Sequence, residues 1–225
     1  MGSDDLKRRK DRERKHRISK EYSLRAETWL IVCEGKQTEP NYFKSLFEYV
    51  NSKYLANLKY KIVGTGRNTV TLVESVNNLF DFTSKEVSKV NIPYGKVFVV
   101  FDKDDFTPNA FNKAIEKCEN NGYIALWSNE CIELWFLLHF NYLDTGITRK
   151  QYFEKLSKIL NVKYEKNQDH FDLLNTDDNL SKAYKNAKRL ADKSQIEKSY
   201  ANRKPCTMVY KLIDELEEYI GKQIK

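Results

Sequence analysis

Short apolar runs, each closing on a polar or glycine-bearing turn, set the pattern of the first 140 residues. Trp29-Leu30-Ile31-Val32-Cys33 ends sharply at Glu34-Gly35 and reads as a buried parallel strand followed by a turn. Tyr60-Lys61-Ile62-Val63 predicts a second strand, closing on Gly64-Thr65-Gly66-Arg67-Asn68. Lys96-Val97-Phe98-Val99-Val100-Phe101 is the strongest strand signal, and Asp102-Lys103-Asp104-Asp105 follows at once. Tyr123-Ile124-Ala125-Leu126-Trp127 predicts a fourth.

Helical spacing fills the gaps between these runs. Tyr42, Phe43, Leu46, Phe47 and Val50 share one face, with Pro40 near the helix start. Val73, Val76, Leu79 and Phe80 lie on a stripe of a mostly helical segment from Thr69 to Val90. Thr107-Pro108 opens a helix with Thr at the N-cap, Pro in the first turn and Phe111, Ala114, Ile115 and Cys118 on the buried face. Asn121-Gly122 ends it. Strand and helix therefore alternate, which predicts an α/β layer with a mostly parallel, four-stranded sheet. Beyond Phe140 only helices are expected. Thr148 to Gln151 has capping-box spacing ahead of Phe153, Leu156, Ile159 and Leu160. Residues 178–195 suit a polar helix, and 207–220 an amphipathic one through Met208, Leu212, Leu216 and Ile220, with Thr207 as its cap.

Composition narrows the class. With 225 residues, 40% hydrophobic and 32% charged, the chain suffices for one domain with a sizeable core. Eight Gly and four Pro exclude collagen-like and low-complexity chains. No apolar run approaches the ~20 residues of a membrane span, and the charged start is unlike a secretory signal. Cys33, Cys118, Cys131 and Cys206 form no CxxC pair, which argues against zinc ribbons and predicts a reducing, cytoplasmic setting. The net charge of +7 is uneven: residues 1–20 hold nine Lys/Arg against four acids, while the other 205 residues hold 30 against 28. Residues 1–22 are thus read as a flexible basic arm suited to a polyanion, or as a frayed terminus. Residues 23–225 are read as one domain, with a core over about 28–140 and a helical extension over about 146–225.

The candidate chemistry lies at strand ends, where ligands of open α/β sheets bind. Glu34 follows the first strand; Asp102, Asp104 and Asp105 follow the third. In an extended segment Asp102 and Asp104 point the same way, so both carboxylates can share a hard cation. Such a cluster suits Mg²⁺, with Mn²⁺ as a substitute and Zn²⁺ a poorer one. Lys36 and Arg67 sit on strand-exit loops, to touch phosphates or simply face solvent. Glu133 is an acid amid apolar residues, costly to bury unless paired or metal-bound. His139, six residues on, lies about 120° away on a helix; it serves substrate or satisfies a backbone group. Lys166 is a further candidate cation for the site, and Glu39 a further acid or a helix-start residue. A P-loop and a nucleophile elbow are both absent.

Together, a Glu after the first strand and a DxD after a later one resemble the TOPRIM core, which holds Mg²⁺ and acts on phosphodiesters. The resemblance narrows to the RloB-like family through IVCEGKQTEPNYF (Ile31 to Phe43), GTGRN with Leu72-Val73, VVFDKDDF (Val99 to Phe106), SNECIELWFLLHF (Ser128 to Phe140) and RKPCTMV (Arg203 to Val209). Glu130 departs from the family pattern, which has Pro there and hence a different turn into the helix. The resemblance implies a bacterial, cytoplasmic endonuclease of a phage-defence or abortive-infection locus, triggered by an AAA- or ABC-type ATPase partner. It implies a nucleic-acid substrate (DNA or RNA, tRNA included), no membrane, and a homodimer as one possible state. Asp102 and Asp104, with Asp105 in reach, would hold metal, Glu34 would ligate or act as general acid/base, and Glu133 would assist. The rival expectation is a nucleotide- or phosphate-sensing module, or an adaptor, that uses the same acids without turnover.

Overall fold

The computed structural model describes residues 9–17, 28–80, 94–104, 106–176, 179–221 and 224. Residues 9–17 form an exposed helix, α1; the remainder of the basic arm lies outside the described residues, as do positions 81–90 of the predicted second helix, residue 178 and Asp105.

Each apolar run becomes a strand of one sheet, β1 (Thr28–Cys33), β2 (Lys59–Gly64), β3 (Lys96–Asp102) and β4 (Ile124–Asn129). They run parallel, in the order β2-β1-β3-β4. β1 and β3 are central and buried on both faces, and the period of two divides their side chains between two cores. Trp29, Ile31, Cys33, Phe98 and Val100 face one layer, while Leu30, Val32, Val97, Val99 and Phe101 face the other. The first layer holds α2 (Thr38–Tyr54), whose Tyr42, Phe43, Leu46, Phe47 and Val50 are all buried. The second holds α3 (Thr69–Phe80) and α4 (Pro108–Asn120). α4 starts as expected: the Thr107 hydroxyl accepts the Ala110 amide at 3.3 Å, Pro108 is in the first turn, and Gly122 turns the chain at φ 71°.

The helical extension packs on the first layer through α5 (Glu133–Leu138), α6 (Arg149–Leu160), α7 (Phe171–Leu174), α8 (Asn179–Ser194) and α9 (Tyr210–Ile220). α6 carries the predicted capping box, with Gln151 N donating to Thr148 Oγ1 and Thr148 N to Gln151 Oε1. Its buried face, however, is Tyr152 and Leu156; Ile159 is 38% exposed. A Thr148→Ala variant is expected to lose about 1 kcal/mol in urea unfolding, the usual worth of a cap.

The sheet has five strands rather than four. Cys206–Thr207 forms β5, antiparallel to β4, with Ser128 opposite Thr207 and Asn129 opposite Cys206. Thr207 therefore does not cap the last helix: its hydroxyl lies 2.9 Å from that of Ser128, and α9 starts at Tyr210. The Asn129–Glu130 and Lys204–Pro205 peptide bonds are cis. All four cysteines are free and buried. No helix among the described residues is long and apolar enough to cross a membrane.

Candidate functional site

Parallel pairing of β1 with β3 brings their carboxyl ends side by side, with Cys33 opposite Val100. The next residue, Glu34, donates its amide to the Val100 carbonyl at 2.9 Å and accepts the Asp102 amide on Oε2 at 3.3 Å. Glu34 and Asp102 are thus locked together by the sheet register itself. They open onto a cavity of about 390 Å³, lined also by Glu39, Asp104, Lys36 and Lys166.

Glu39, in the first turn of α2, folds back over Gly35 and accepts the Gly35 amide and its own. A Cβ on Gly35 would collide with this carboxylate, so any larger residue there would displace the Glu39 side chain from its present position. Gly66 plays a similar part for Lys36, whose aliphatic stem crosses it at a left-handed turn of φ 64°. Glu39 is at once a first-turn residue of the helix and a buried acid that faces the cavity.

The electrostatics are those of crowded, poorly solvated acids. Burial first, then the neighbouring carboxylates Glu39 and Glu133, push the Asp102 carboxyl well above the usual range, against the pull of Lys166. Burial, then Glu133, raises Glu39, although its backbone hydrogen bonds and Lys166 act the other way. Glu133 is fully buried at the start of α5. The Tyr164 hydroxyl donates to its Oε1 at 2.9 Å, Lys166 Nζ stands 4.0 Å away, and Oε2 has no hydrogen-bond partner among the described residues.

Not every expected residue converges. Asp104 lines the cavity but pairs with Arg149. It sits in a turn at φ 42°, so the period-two alternation that would align it with Asp102 stops at the strand end. Asp105 lies outside the described residues. Arg67 is exposed on the loop after β2 and is not among the residues that line the cavity. His139 is not among the residues that line the cavity: it is wholly buried, with Nδ1 3.0 Å from the Trp135 carbonyl and Nε2 3.5 Å from the Tyr42 hydroxyl. That tyrosine accepts Trp135 Nε1 at 2.6 Å. His139 thus satisfies a backbone group, and burial lowers its pKa to about 4.

Among the described residues no three His, Cys, Asp or Glu side chains are placed to hold one metal ion. Mg²⁺ asks for less, since it is commonly held by one or two carboxylates and keeps several waters for a phosphate ligand. The all-oxygen pair Glu34 and Asp102, the crowding that raises Asp102, and the unpartnered Glu133 Oε2 nearby fit such a hard cation. Sequence reasoning missed Tyr164 and Arg149, which carry no motif and reach the site from the helical extension.

No curated relative and no solved structure matches the chain. The model of one protein family, described as RloB-like protein, matches residues 29–216, from β1 into α9. With that span, the chain belongs to the RloB-like family.

Proposed function

We propose that this RloB-like protein is a Mg²⁺-dependent nuclease of TOPRIM type that cleaves nucleic-acid phosphodiesters as the effector of an anti-phage system under a partner ATPase. The observation that carries the reading is the Glu34–Asp102 pair at the carboxyl ends of adjacent parallel strands, facing an open cavity. Bound there, Mg²⁺ supplies polarisation of a phosphoryl oxygen and a water of lowered pKa. Glu34 and Asp102 would hold the ion, and Asp104, which lines the same cavity, would be a further oxygen ligand if it left Arg149. Lys166 and Lys36 line the same cavity and neutralise the non-bridging oxygens. Glu39, which binds a proton more tightly than an ordinary carboxyl, is placed to pass one between water and the leaving oxygen.

The test is incubation of the protein, alone and with its ATPase partner, with plasmid and tRNA. Mg²⁺ and Mn²⁺ are expected to support cleavage and Zn²⁺ to support it poorly; cleavage that survives excess chelator defeats the reading. Deleting residues 7–20 is expected to weaken nucleic-acid binding and flatten its salt dependence, by about 0.9 per lost duplex contact in the log–log slope. Equal slopes for both proteins would exclude the arm from that role.

The Asp104–Arg149 pair favours a second reading, a nucleotide- or phosphate-binding module that regulates its partner without turnover. Saturable Mg²⁺–nucleotide binding by calorimetry with no product formed would select it.

A further inference from the structure

Charge outside the N-terminal arm is concentrated in one stretch. Residues 179–204 carry eight Lys/Arg against two acids, a net of +6; with +5 in residues 1–20 and +7 overall, the rest of the chain is left at −4. α8 supplies five of these cations, Lys182, Lys185, Lys188, Arg189 and Lys193, all exposed, with Asp192 as its one acid. Lys182, Lys185, Arg189 and Lys193 recur at i, i+3, i+7 and i+11, which places them on one stripe. The stripe lies opposite the face that buries Leu180, Ala183, Ala187 and Leu190. At 1.5 Å per residue it runs about 16 Å, the length of about five phosphates of one strand at 3.4 Å spacing.

This stripe is continuous with the carboxylate cavity. Because β5 is antiparallel to β4, with Cys206 opposite Asn129, residues 203–205 stand at the sheet edge where β3 and β4 end. Lys193, Arg203 and Lys204 line a second cavity of about 180 Å³. Lys204 Nζ lies 2.6 Å from Glu130 Oε2, the Glu130 carbonyl accepts the Asp104 amide at 3.1 Å, and Asp104 lines the first cavity. Two cations along the way lie over half-buried rings, Arg189 at 4.2 Å from the Tyr142 centroid and Arg203 at 4.8 Å from that of Tyr200. Two acids on this path, Asp144 against Lys193 and Glu130 against Lys204, belong to ion pairs of partly exposed side chains, while Glu197 also lines the second cavity and Asp192 lies on α8. Such pairs are worth about 0–1 kcal/mol, so a phosphate displaces the acid at little cost.

We propose that the α8 stripe and the Arg203–Lys204 turn form a track that binds the phosphate backbone of nucleic acid and leads it to the strand-end carboxylates. The proposal rests on the phosphodiester reading above and adds the surface that carries the substrate. The regular spacing, the stacked cations and the continuity with the cavity favour nucleic acid over an acidic protein.

The experiment compares the full-length protein with the variant Lys182→Gln/Lys185→Gln/Arg189→Gln/Lys193→Gln. Fluorescence anisotropy with a labelled 20-nucleotide DNA, single-stranded and duplex, gives Kd over a series of salt concentrations. The slope of log Kd against log salt is expected to fall by about 3 to 4 for the duplex and 2 to 3 for the single strand. Hydrolysis of bis-p-nitrophenyl phosphate with Mn²⁺, which needs no track, is expected to be unchanged. If the fourfold variant fails to fold, Lys182→Gln/Lys185→Gln is read instead and is expected to lose about half as much slope. Unchanged slopes overturn the track, as does tighter binding of poly-glutamate than of either DNA, which would make the stripe a protein-docking surface. A lowered slope in a protein that hydrolyses neither ester nor DNA keeps the track and rejects the nuclease reading.

Discussion

Asp102→Asn is expected to abolish Mg²⁺-dependent cleavage, by about 100-fold or more, while making the metal-free protein more resistant to heat. The activity loss follows from removing one of the two carboxylates that would hold the ion, whose Lewis-acid chemistry is worth several kcal/mol of transition-state stabilisation. The stability gain has the opposite sign for a physical reason. Burial and the adjacent acids raise the folded-state pKa of Asp102 above its unfolded value. Between those values the folded chain binds more protons, so stability falls as pH rises through the window, and above it the full penalty is present. Asn carries no such penalty. The difference in Tm between wild type and variant is therefore expected at pH 7–8 and to vanish below about pH 4. Glu34→Gln is the companion variant: its amide oxygen still accepts the Asp102 N–H, so a loss of cleavage there reports the lost charge rather than a disturbed sheet. Near-wild-type cleavage by both variants would remove Glu34 and Asp102 from the chemistry.

The second large effect is acid destabilisation through His139. Its folded pKa, about 4, lies below the unfolded value of about 6.5. This lowered group contributes stability that is fully present above about pH 6.5 and is lost as pH falls to 4. Two and a half units correspond to about 3 kcal/mol. Urea unfolding between pH 7.5 and 4 measures it, best in the Asp102→Asn background, where one of the two opposing carboxylates, Asp102 and Glu39, is silent. His139→Gln, which keeps a donor for the Trp135 carbonyl, is expected to flatten the curve by about that amount. The same pH slope in both proteins would assign the acid sensitivity elsewhere.

The contrast between these residues shows what sequence makes legible. β1 and β3 are unbroken apolar runs, and only a strand buried on both faces needs such a run. Their ends, and hence the nearness of Glu34 to Asp102, follow from parallel pairing alone. The α4 start was equally readable, because Thr107 and Pro108 act on backbone groups within three residues. Periodicity gives out where the backbone leaves its regular dihedrals, as at Asp104, and in a two-residue strand such as β5, which has no period to detect. Nor does spacing distinguish His139, which follows α5 and fills a core hydrogen bond, from Glu133 at the start of that helix. That distinction depends on Tyr164 and Lys166, about thirty residues downstream, which tertiary packing alone brings to Glu133.

The two-residue strand β5 also has a bearing on synthesis. It comes from the far end of the family-matched span, yet it covers the outer edge of β4, a parallel strand otherwise open on that side. On a ribosome the first four strands emerge long before Cys206, and through that interval the β4 edge stands ready to pair with another chain. The same late segment brings Lys204 to Glu130, beside the DxD turn. A translation product broken off before Cys206 would therefore carry the acids without their finished rim and with an adhesive sheet edge. It is expected to be recovered as aggregate, and activity to begin only with chains translated past this point.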